Sequence, residues 1–107
     1  MILTFIPQRR DDVLELSMQG DVLTVSGDVL DFRPLPDGAT LPASAIENPF
    51  IYGPVERKDG DICLSLLAPC KDPEAWKLPP VTVVVTENGP VSLPVFDRPM
   101  EGEANAD

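Results

Sequence analysis

Thirteen of the 107 residues are proline, more than twice what an average composition supplies. A proline inside a helix lacks the amide donor that the ladder needs and clashes with the carbonyl one turn back. Long helices are therefore largely excluded, while turns and sheet edges stay open to this chain. One core is expected, because chains of about 100 residues bury roughly two thirds of their unfolded surface and support a single compact unit.

Between the prolines the residues alternate as strands do. In 13–18, VLELSM, the side chains of Leu14, Leu16 and Met18 fall on one face and Glu15 and Ser17 on the other, the period of a strand with one wet side. VLTVS at 22–26 sets Leu23 and Val25 against Val22, Thr24 and Ser26, and VLDF at 29–32 sets Leu30 and Phe32 against Val29 and Asp31. Gly20 and Gly27 separate these runs, where tight turns need permissive backbone angles. The unit GDVL stands at both places, seven residues apart, which is the length of a strand plus a short turn, so the echo reads as the punctuation of a meander. Calcium is the rival reading. Asp21 and Asp28 are isolated, however, and no glutamate closes a twelve-residue loop. Turns are expected at Gly20-Asp21 and Gly27-Asp28, with neither aspartate acting beyond its own turn.

Residues 33–50 form a connector with Pro36-Asp37-Gly38 as a turn and one helical turn in LPASAIE. The clearest hairpin follows: IYGPVER and DICLSLLAP flank Asp59-Gly60, which predicts Arg57 opposite Ile62, Val55 opposite Leu64, and Ile62, Leu64 and Leu66 on one face. In 70–80, Asp72 and Pro73 are placed to start a single helical turn through Trp76. VTVVV at 81–85 is again a strand, and Asn88-Gly89 predicts a hairpin joining Thr86 to Val91 and Val84 to Leu93, with Pro90 confining it to an edge. The expected fold is all-β: a small antiparallel sandwich, roll or partly open barrel of about seven or eight short strands. It comprises one domain over 1–96 and an acidic disordered tail over 97–107, where Asp97, Glu101, Glu103 and Asp107 face only Arg98.

The charge bounds the partners. Eighteen acids against eight bases leave a net charge of −10, which disfavours nucleic acid and anionic lipid, since both attract clustered Lys and Arg. VTVVV is far short of the ~20 apolar residues of a membrane span, and MILTFIP lacks the basic start and the length of an export signal. A cytoplasmic protein is expected, with Cys63 and Cys70 reduced and structural or incidental in role.

Histidine is absent, which removes histidine-dependent triads and the common zinc-hydrolase ligand sets. Gly20 and Gly27 compose no phosphate-binding loop. Asp11-Asp12 and Asp59-Asp61 are the nearest thing to a carboxylate pair, and both read as solvated turns; Arg9-Arg10 beside Asp11-Asp12 reads as a mixed-charge surface segment. No catalytic residue, cofactor or metal ligand is assigned. The candidate interaction residues are Phe50, Tyr52 and Trp76, because large aromatics dominate protein interfaces. A small core competes for them, with the stronger claim on Trp76 and Phe50 and an even one on Tyr52.

MILTFIPQRRDDVLELSMQGDVLTVSGDVLDFRPLPDGATLP, residues 1–42, resembles short prophage-encoded proteins found near tail genes in marine and photosynthetic bacteria. The opening MILTF, the paired GDVL units and FRPLPDGATLP carry the likeness. It implies a phage-tail component or assembly accessory, incorporated into a particle, and it transfers no functional residue. The leading expectation is thus a structural or protein-interaction module that binds a protein partner or itself. A β module for a small molecule or glycan is the alternative, and a carboxylate-dependent hydrolase the weaker one.

Overall fold

The computed structural model describes residues 1–94 and 96. Nine strands run through them: β1 (Ile2–Arg9), β2 (Leu16–Gln19), β3 (Val22–Val25), β4 (Asp28–Asp31), β5 (Thr40–Leu41), β6 (Ile51–Lys58), β7 (Asp61–Cys70), β8 (Val81–Val84) and β9 (Gly89–Val91). They make two sheets, one of order β5-β6-β7-β1-β8 and one of order β4-β3-β2-β9. The fold is all-β, largely antiparallel, and not closed into a barrel. The only helical segments described are two single 3-10 turns, Ala43–Ala45 and Ala75–Lys77, as the proline content demands. The acidic tail expected over 97–107 lies outside the described residues.

β1 is the surprise of the topology. Its apolar residues put it inside the larger sheet, parallel to β7 with Phe5 beside Leu66, and antiparallel to β8 with Leu3 beside Val83. A parallel pair leaves no hairpin turn between its strands, and 51 residues separate Arg9 from Asp61, so nothing local announces it. Leu3 and Phe5 are fully buried, as are Leu23, Val25, Val55, Ile62 and Leu66. The core therefore lies between the inner faces of the two sheets, with the alternations of 14–18, 22–26 and 62–66 facing inward as the sequence predicts.

The turns follow backbone chemistry. Asp59 and Gly60 both have positive φ, as do Ser26 and Gly27, the mark of the mirror-image turns whose twist suits hairpins. The two GDVL units are not equivalent, however. Gly20-Asp21 sits at the centre of the β2–β3 turn, whereas the second turn is centred on Ser26-Gly27 and Asp28 already belongs to β4. Both aspartates also reach beyond their turns, contrary to the sequence expectation. Asp21 accepts from Arg57 Nη2 at 3.0 Å, and Asp28 accepts from Asn48 Nδ2 at 3.1 Å. The partners lie 36 and 20 residues away, which local pattern cannot register.

Two pairings differ from expectation. In the β6–β7 hairpin Arg57 does face Ile62, but the register breaks between Tyr52 and Glu56. Three residues of β6 there oppose one of β7, so Val55 and Leu64 are not ladder partners. Gly53, with a φ of 78°, and Pro54, which has no amide proton, produce that bulge. The hairpin expected at Asn88-Gly89 does not form. Val84 pairs with Ile2 in one sheet and Val91 with Leu16 in the other. Asn88 instead uses its side-chain oxygen to accept the Gly20 amide at 2.8 Å, fixing the crossing between sheets.

Candidate interaction face

The outer side of the five-stranded sheet is built by alternation. Because Leu3 and Phe5 point inward, Ile2, Thr4, Ile6 and Gln8 of β1 point outward. The same rule turns Cys63, Ser65 and Leu67 of β7, and Thr82 and Val84 of β8, to that face. Ile6 and Leu67 are ladder neighbours. Together they floor a groove of 460 Å³ also lined by Pro7, Gln8, Arg9, Tyr52, Trp76 and Pro80. A second depression of 320 Å³ lies over the β6 bulge, with Ile2, Thr4, Pro54, Glu56, Cys63 and Ser65 around it. Tyr52 borders both.

Trp76 is 75% exposed and Tyr52 58% exposed, while Phe50 is only 5% exposed. The structure thus divides the three aromatic candidates. Phe50 is a core residue with the Arg10 guanidinium 4.5 Å above its ring, and the core placement expected for Trp76 is wrong. The reason is local. The 3-10 turn Ala75–Lys77 directs Ala75 inward, where it is fully buried, and the indole is carried outward, with the Lys77 ammonium 5.2 Å from its ring. Asp72 starts this segment by accepting the Glu74 amide at 2.9 Å. β6 holds Tyr52 outward opposite Ser65.

The charged groups near the groove are held in local pairs. Arg9 donates to Asp11 at 2.8 Å and Arg10 donates to Asp12 through Nε and Nη2, so the mixed-charge segment is a set of local ion pairs. These pairs hold the Asp11 and Asp12 carboxyls below their ordinary range, chiefly through the arginine hydrogen bonds. Arg33 does the same for Asp31, whose pKa is lowered to about 2. A general acid needs the opposite shift. Burial, followed by Glu56 and Asp61, pushes the Cys63 thiol up, which makes it a poor nucleophile at neutral pH. Cys63 and Cys70 are both free thiols. No group of three or more His, Cys, Asp or Glu side chains suited to a metal occurs among the described residues, and no described helix is long and apolar enough to cross a membrane.

No family model, curated protein or solved structure matches the chain. The site must accordingly be read from its own chemistry. Tyr52 and Trp76 were visible in the sequence as aromatics beside proline-rich connectors. Ile6, Gln8 and Leu67 were not, because only the parallel β1–β7 pairing brings residues 6 and 67 side by side.

Proposed function

We propose that the chain is a small structural, protein-interaction module whose working surface is the outer face of the five-stranded sheet. The exposure of Tyr52 and Trp76 on one apolar-floored groove is the observation that carries this reading. Rigid aromatic rings lose little conformational freedom on binding and gain a large desolvated contact, which is why a few of them dominate interface energies. Paired strands β1 and β7 floor the groove, which has room for an extended or apolar segment of a partner. The likeness of residues 1–42 to prophage proteins encoded near tail genes supports the setting: a phage-tail component or assembly accessory, made in the cytoplasm and carried into a particle.

Protein is favoured over glycan because the groove has few convergent polar groups. Its polar side chains are Gln8, Arg9 and Tyr52, and Arg9 is already paired with Asp11, whereas sugar recognition needs several placed donors and acceptors. The test is co-purification with particles and assembly intermediates from an induced lysogen, comparing the native chain with Y52A/W76A. Association is expected for the native chain and a loss of about tenfold or more for the double variant, with unchanged thermal unfolding. Native chain that never enters those fractions would contradict the tail assignment. Selective retention on immobilised glycans, abolished in the same variant, would replace protein by glycan as the ligand.

A further inference from the structure

Four strands end the two sheets, and they are not equally protected. β5 is two residues long, β4 begins and ends on aspartate, and β9 is a Gly-Pro-Val triplet with proline at its centre. Shortness, charge and proline are the usual defences of an edge. β8, four residues long and preceded by Pro79-Pro80, has neither charge nor proline within it. Residues 81–85 read VTVVV, five apolar or β-branched residues without a charge, in a chain of which 24% is charged.

The hydrogen bonding fixes which groups this edge presents. Met1 and Val85 exchange both main-chain bonds, at 2.9 Å and 2.8 Å, so by antiparallel alternation Val83 and Val81 also bond to β1. The amides and carbonyls of Thr82 and Val84 must then point away from the sheet, where no described strand lies. Their side chains stand on the outer face, and Val84 is 64% exposed. A groove of 280 Å³ runs along this side, lined by Val83, Val84, Val85, Thr86 and Glu87 and by Pro90, Val91 and Ser92.

We propose that β8 pairs antiparallel with β8 of a second copy, making one ten-stranded sheet across a two-fold axis. The outward-facing residues are symmetric about Val83, so the edge is complementary to itself. With Thr82 of each copy opposite Val84 of the other, both outward residues of both strands exchange their bonds, giving four across the dyad. Setting Thr82 opposite itself would instead bring Val84 against Pro80, which has no amide to give. A second copy supplies an uncharged β-branched strand of the right length, and an isologous contact of this kind closes as a dimer. The chain's charge of −10 acts against association at long range, so pairing strengthens as salt screens that repulsion. The aromatic groove is not part of this contact.

Sedimentation equilibrium of the full chain, from micromolar to millimolar and at low and high salt, tests the proposal. A monomer–dimer equilibrium that tightens with salt is expected. V84K should weaken it by about tenfold, because each dimer then carries the charge twice at its central ladder, while thermal unfolding stays unchanged. T82E/V84K should restore it, since each glutamate then faces the lysine of the other copy. The Thr82 and Val84 amides should gain hydrogen-exchange protection as concentration rises, and Y52A/W76A should dimerise as the native chain does. A monomer throughout this range, a V84K chain that dimerises normally, a double variant with no recovery, or a dimer lost in Y52A/W76A would each overturn the assignment.

Discussion

Arg57 is the residue that most tightly joins the parts of this molecule. Its guanidinium donates to the carbonyls of Leu35, Gly60 and Phe32 and to the Asp21 carboxylate, all within 3.0 Å, and its side chain is only 12% exposed. One cation therefore caps the β6–β7 turn, holds the 32–35 connector and reaches the β2–β3 turn of the other sheet. Arg57→Met should destabilise the fold by about 2 to 4 kcal/mol, since it leaves several half-buried acceptors without a donor; chemical denaturation measures this directly. Asp31 offers a gentler check on local electrostatics. Its pair with Arg33 is exposed and worth little to stability, but its titration is distinctive. A carboxyl with a lowered pKa stabilises the fold above the unfolded value and loses that contribution as pH falls through the folded one. Its carbon resonance should accordingly titrate near pH 2, and R33A should return it to the ordinary carboxylate range.

At the scale of elements, Gly20-Asp21 and Asp59-Gly60 turn where expected, the Gly27-Asp28 turn is centred one residue earlier, and Asn88-Gly89 makes no hairpin. Ser26-Gly27 and Asp59-Gly60 demand positive φ at both central positions, and a β-branched residue meets that demand at a cost. Gly27→Val should lose about 1 to 3 kcal/mol in thermal or chemical unfolding although its Cβ would have open space, because the penalty is conformational. An undiminished stability would mean that the β3–β4 turn relaxes freely. Strands with one wet face were legible: Leu14, Leu16, Met18, Leu23 and Val25 are buried in the alternation that their sequence displays. What escaped was pairing at a distance. Val84 and Leu93 bracket a good turn dipeptide, yet Val84 finds Ile2 and Val91 finds Leu16, because an apolar β1 needs a second neighbour more than the Asn88-Gly89 turn needs a hairpin. Trp76 escaped for a related reason. Residue type favours burial, but burial of Ala75 on the same 3-10 turn decides which way the indole points.

The whole molecule is a sandwich with two unlike outer surfaces. The four-stranded sheet shows solvent Ser17, Gln19, Thr24 and Asp31, with Val22, Val29 and Pro90 among them and no aromatic residue. The five-stranded sheet shows Ile2, Ile6, Leu67, Tyr52 and Val84, with Trp76 on the adjoining 3-10 turn, set among Thr4, Gln8, Glu56, Cys63, Ser65 and Thr82. Two exposed aromatic rings beside one apolar-floored groove are characteristic of contact sites, whereas scattered exposed valines are ordinary. On the function proposed above, a protein partner meets the aromatic surface and leaves the polar one bare. Photo-crosslinking decides it most directly, with a photoreactive aromatic amino acid placed at position 76 in one variant and at position 29 in another, each expressed during prophage induction. The account predicts a discrete crosslinked product with a particle or assembly protein from position 76 and none from position 29; the same product from position 29 with none from position 76 would contradict it.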